Sequence, residues 1–136
     1  SQPDAKPEEV LDEIARKVTQ QLKNHRHWNL RFYLALQAAQ GDETLRARFA
    51  SNYAAQTQRT ADLFNYVFGT QAHPQDLDLA VLMVAALDGI NFQQFIGALP
   101  VEIDDLARVY NEFFAFAVPL YEKNREAIHR FDHAQS

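Results

Sequence analysis

The side chains with the greatest chemical reach in this 136-residue sequence are five histidines and eighteen carboxylates, and there is no cysteine. His25 and His27 are two apart, a spacing that points them in different directions on a helix. Glu126-Ala-Ile-His129 has the ExxH spacing of carboxylate-bridged di-iron bundles, and His133 follows His129 by one helical turn. Such a site needs two of these motifs and two further inward carboxylates. The sequence offers one motif, in its most polar segment, so surface histidines and no metal are the expectation. The lack of cysteine excludes a thiol nucleophile, a disulfide scaffold and Cys-based zinc or iron–sulfur sites. The only serines, Ser1, Ser51 and Ser136, have no nucleophile-elbow context. Asp76/Asp78 and Asp104-Asp105 sit at predicted helix starts, where the helix dipole accounts for them. Gly41, Gly69, Gly89 and Gly97 are scattered and form no phosphate-cradling loop. Together these patterns predict neither a catalytic residue nor a cofactor.

Binding has better support than catalysis. Gln56, Thr57 and Thr60 interrupt an apolar stripe between Tyr53 and Leu63. Polar groups on a buried face cost about 1–3 kcal/mol each unless hydrogen-bonded. A lined cavity would satisfy them, with Trp28, Phe32, Tyr53, Phe64 and Phe92 as its walls. The alternative is a threonine bonding back to its own helix, or a break between two helices. Asp88 stands among Val84, Ala85, Leu87, Ile90 and Phe92, where an unpaired charge is prohibitive. It either holds a cationic ligand or, more economically, is a structural carboxylate bonded to an arginine or a backbone amide.

The elements that must position these groups are all helical. Pro7 with Glu8 and Glu9 marks a helix start, and Val10, Leu11, Ile14, Val18 and Leu22 give it a narrow apolar stripe to about Asn24. A second helix spans about 28–40 and stops at Gly41. Asp42 is an N-cap for a third, running to Phe68 as one long helix or two nearly continuous ones. Residues 69–74 read as a loop. The fourth helix, about 75–99, is apolar in almost every direction, and such a helix must be covered on all sides. The fifth begins at Asp104-Asp105 and carries Leu106, Val109, Tyr110, Phe113, Phe114, Ala117 and Val118, again too wide a stripe for one partner. Pro119 should kink or stop it, leaving 121–136 as a frayed helical extension or a flexible tail. The predicted architecture is one all-α domain of five helices over 1–136. Its last two helices would form a four-helix bundle with a second copy through Leu82, Ala86, Gly89, Gln93, Tyr110, Phe113, Phe114 and Ala117.

Residues 28–67, especially Leu34-Ala-Leu-Gln-Ala-Ala-Gln-Gly-Asp-Glu-Thr-Leu-Arg-Ala-Arg-Phe49, resemble the regulatory domain of the tetracycline repressor (TetR) family of transcription regulators. Leu79-Ala-Val-Leu-Met-Val-Ala-Ala-Leu-Asp-Gly-Ile90, with its Asp88-Gly89 pair, does so too. The resemblance spans roughly 7–120 and lies in helix lengths, small residues and Asp-Gly rather than in a unique signature. It implies a bacterial ligand-sensing and dimerising domain, in which a small hydrophobic or cationic effector controls a helix-turn-helix DNA reader N-terminal to it. No such motif precedes Pro7, so the expectation is a fragment of a longer regulator, or else a relative without the reader. The other readings are a helical-bundle metalloprotein or enzyme using His and Glu, and a purely structural homodimerisation domain.

The net charge of −5 argues against this chain itself gripping nucleic acid, which needs a basic face. Operator DNA would be reached only through the missing reader. The longest apolar stretch, 79–87, ends at Asp88 and falls short of the ~20 residues that cross a bilayer. With no apolar signal core near Ser1, a cytoplasmic location and no membrane contact are expected.

Overall fold

The computed structural model describes residues 6–24, 26–69 and 71–135, with side chains described for all of these except 26, 27, 126 and 128–135. Five helices follow one another: α1 (Pro7–Lys23), α2 (Arg26–Ala39), α3 (Glu43–Phe68), α4 (Asp76–Phe95) and α5 (Ile103–Gln135). Among the described residues there is no strand. No helix among them is long and apolar enough to cross a membrane.

Local chemistry sets most boundaries. Pro7 occupies the first turn of α1, with Glu8 and Glu9 at the positive end of its dipole. The Asp42 carboxylate accepts from the Leu45 amide at 3.1 Å and so caps α3. At the far end of α3, Gly69 takes a left-handed φ of 63° and donates its N–H to the Asn65 carbonyl. A side chain there would be strained, which is why the helix ends at glycine. The third helix is thus a single one of 26 residues.

The expected stop at Pro119 is not observed: α5 continues through it to Gln135. Proline removes the N–H that would reach the Ala115 carbonyl, costing about 3 kcal/mol in an isolated helix. Val118 beside it is fully buried, and Tyr121 and Arg125 are bonded to α4 and its leading turn, so packing on both sides of the proline holds the helix together.

Two apolar clusters make the core. Val18 and Leu22 of α1 meet Leu87 of α4 and Ala107 and Tyr110 of α5. Ala61 and Phe64 of α3 meet Ala80 of α4 and Val118 of α5. Phe114 packs against both. Each large aliphatic or aromatic side chain so buried stabilises the fold by about 1.5–3 kcal/mol. Polar ties fix the order of the helices. The Gln94 amide donates to the Leu22 carbonyl at 2.9 Å, satisfying the free C-terminal end of α1. Asn111 donates to the Ala15 carbonyl at 3.3 Å, and Lys23 pairs with Asp104 at 2.6 Å, so α1 and α5 run antiparallel.

One face of α4 is buried within the chain through Ala80, Val84, Leu87 and Asn91. Its other face is apolar and exposed, with Leu82 61% accessible. The outer face of α5 is similar: Val109, Phe113, Phe116 and Leu120 are all exposed, Phe116 by 71%.

Candidate functional site

A cavity of about 350 Å³ lies along the seam between the two apolar clusters. Four helices border it: α1 through Leu11, Ile14, Ala15, Val18 and Gln21, α3 through Gln56, Thr60, Leu63, Phe64, Val67 and Phe68, α4 through Met83, Val84 and Leu87, and α5 through Tyr110, Asn111, Phe114, Ala115 and Val118. Its walls are mainly aliphatic and aromatic, with a few amides and hydroxyls. This is the composition of a small-molecule site, where apolar walls supply affinity and a few polar groups orient the ligand. Tyr110 reaches across its edge and donates its hydroxyl to the Met83 carbonyl at 2.9 Å, and burial pushes its phenol pKa well up. Asp12 and Glu112, both exposed, border the cavity on the α1–α5 side.

Of the nine residues expected to bind ligand, Gln56, Thr60 and Phe64 line this cavity. Thr60 does both things weighed for it: its hydroxyl donates to the Gln56 carbonyl at 2.9 Å, and its side chain borders the space. Thr57 is buried but not among the lining residues. Trp28, Phe32 and Phe92 stand instead in an aromatic group between α2 and α4, where Phe32 meets Phe92 edge-on at 5.6 Å and Trp28 at 5.7 Å.

Tyr53 and Asp88 form a pair of their own. The Tyr53 hydroxyl donates to the Asp88 carboxylate, joining α3 to α4. Asp88 thus has a phenol as its partner within the chain, where an arginine or a backbone amide was expected. Burial, then the bond to Asp88, raises the Tyr53 pKa, while the neighbouring Arg31 opposes the rise. The Arg31 guanidinium lies over three rings at once, 5.4 Å from Trp28, 5.3 Å from Phe49 and 5.1 Å from Tyr53. Among the described residues no carboxylate forms an ion pair with it. Arg31, Trp28, Gln21, Asn24 and Gln56 border a second, more open space of about 210 Å³. A third space, about 140 Å³, is bordered by Asn29, Asn91 and Gln94, and the buried Asn91 amide nitrogen in it has no partner among the described residues. Such a polar space has room and partners for water.

At the opposite end of α4 is a buried charged cluster. The Arg125 guanidinium lies 3.2 Å from Asp76 and 2.7 Å from Glu122. Asp76 also accepts from the His73 amide at 2.7 Å. Burial and the adjacent Asp76 push the Glu122 carboxyl up to about 7, while for Asp76 burial is outweighed by the polar partners around it, among them Glu122, the His73 amide and Arg125, and its pKa is lowered. Nothing in the spacing of 76, 122 and 125 announces this cluster, because the separation is long and the contact is made by folding.

The expected interface residues are divided. Leu82, Gly89, Gln93 and Phe113 are exposed, and Ala86, Phe114 and Ala117 are half-buried. Tyr110, expected on the same outward face, points inward and is buried in the core. No group of three or more His, Asp or Glu side chains is placed to hold a metal among the described residues. His25 and the side chains of His27, Glu126, His129 and His133 lie outside them. Comparison with protein-family models, curated proteins and solved structures finds no significant match to the chain.

Proposed function

We propose that the chain is the effector-sensing, dimerising domain of a bacterial transcription regulator of the TetR type, with a small, mainly apolar molecule as its effector. The observation that carries this reading is the 350 Å³ cavity, whose walls include one side of α1 as well as α3, α4 and α5. In the resemblance, α1 is the element that leads to the DNA reader. A molecule seated between α1 and the other three helices would fix their relative positions. It would bias two arrangements of α1 only by its difference in affinity for them. The second support is the exposed apolar face of α4 and α5. Exposed apolar side chains in this number mark an association site, and a second copy of the same surface would bury them symmetrically.

Sedimentation velocity at micromolar concentration tests the reading. The wild-type chain is expected to run as a dimer and Phe113→Arg as a folded monomer. Phe113 is 60% exposed, so the substitution costs the protomer little by itself. A monomeric wild type would overturn the proposal.

A further inference from the structure

The cavity does not end at its apolar walls. Gln21 and Gln56 border both the 350 Å³ apolar cavity and the 210 Å³ space beside Arg31, so the two spaces are neighbours across these two residues. We propose that together they bind one monoanionic amphiphile, an apolar body in the cavity with its carboxylate received by Arg31. The inference rests on the effector-binding reading above and names the chemical class of the effector.

Three observations lead to an anionic head. The Arg31 guanidinium forms no ion pair among the described residues, and its five N–H groups offer a planar fork that matches a carboxylate. Its place over the rings of Trp28, Phe49 and Tyr53 holds it without neutralising it, and a pre-positioned cation loses less freedom on binding. The carboxylate that a cationic head would need, Asp88, is bonded to the Tyr53 hydroxyl and borders neither of the two spaces. The rim is polarised in the same sense: Asp12 and Glu112 border the cavity on the α1–α5 side and disfavour an anion there, which directs the head toward Gln21 and Gln56.

Size follows from volume. A cavity of about 150 Å³ admits benzene, so by proportion this one holds on the order of a dozen carbons.

The single tryptophan, Trp28, borders the space beside Arg31 and reports on it directly. Trp28 fluorescence is followed while the chain is titrated with dodecanoate, dodecanol and dodecyltrimethylammonium, each below its micelle concentration. Dodecanoate is expected to bind at least tenfold more tightly than either analogue. Arg31→Gln should bring dodecanoate down to the affinity of dodecanol, and Arg31→Lys should keep part of the preference. Circular dichroism of both variants establishes that they are folded; if Arg31→Gln is not, the partial preference of Arg31→Lys and the wild-type ranking decide. Equal affinities, or a preference for the cation, overturn the anionic assignment and leave the cavity as an effector site. Failure of all three to bind overturns the assignment and the effector reading together. Ala115→Phe, which fills the cavity, should abolish binding of dodecanoate and dodecanol alike. Persistent binding would locate the amphiphiles on the exposed α4–α5 face and overturn the proposal.

Discussion

Arg31 and Arg125 each stand close to a carboxylate and a tyrosine, at opposite ends of α4, and the two arrangements behave differently. Arg125 contacts Asp76 and Glu122 directly, with its own side chain 15% exposed and theirs 2% and 4%. Tyr121 adds a hydrogen bond from α5 to Gln75 at 3.2 Å. All partners in that cluster come from the chain itself, and it fastens the start of α4 to the second half of α5. Arg31 is half-buried, and its nearby carboxylate, Asp88, is bonded to the Tyr53 phenol. Its charge faces an open space rather than a counter-ion. A guanidinium whose charge is met by carboxylates within the chain holds the fold together; one that is stacked on rings and bonded only to the neutral Tyr53 phenol keeps its charge for a ligand.

Arg125→Ala should show the larger effect. It leaves two buried carboxylates without their cation, and loss of one partner of a buried pair costs about 3–5 kcal/mol. Chemical denaturation at pH 8 should record a loss of this order, smaller at pH 5, where Glu122 keeps its proton. The comparison fails if Arg125→Ala is as stable as wild type.

A smaller effect lies in the pH dependence of the wild type. The Glu122 pKa is raised in the folded state, so between its ordinary value of 4.5 and about 7 the folded chain binds more protons than the unfolded one. Stability from this group is complete below 4.5 and is lost as pH rises through 7. Asp76 is shifted the other way and acts only at lower pH, as protons are added below its ordinary 3.8. The denaturation midpoint should therefore fall between pH 5 and pH 8, and Glu122→Gln should flatten that slope. A slope unchanged in the variant would assign it to another group.

Tyr53→Phe should do least, removing one half-buried hydrogen bond to a charged acceptor, worth about 1–3 kcal/mol. The low end is expected because Asp88 keeps access to water, and the cost should not vary between pH 5 and pH 8. A loss as large as that of Arg125→Ala would make the Tyr53–Asp88 pair a second fastener and remove the contrast between the two ends.

The five helices were legible in the sequence because their signals are local. Pro7 with two glutamates, the Asp42 cap and Gly69 in its left-handed turn each act within one helical turn. Gln56 and Thr60 were legible as cavity residues because polar groups in an apolar stripe are anomalous wherever the stripe is buried. Phe32 and Phe92 carried no such anomaly. Their aromatic character was equally consistent with a cavity wall and with the α2–α4 packing that they form. Arg31 carried no signal at all, since a lone arginine in a helix is an ordinary surface residue until three rings are brought beneath it.

What the sequence alone determined is the number, the order and most limits of the helices, though α4 ends at Phe95 rather than near 99 and α5 runs on to Gln135, together with the excess of apolar surface on α4 and α5. These depend on spacing and on capping, which are complete within a few residues. Tertiary structure decided the rest. Pro119 stays inside α5 because buried neighbours outweigh a local penalty, and Tyr110 turns inward because the Met83 carbonyl and the core are there to receive it. Asp88 meets Tyr53, and Asp76 meets Arg125, across separations of 35 and 49 residues. Contacts of that range have no periodicity to read; they exist only once the helices have packed.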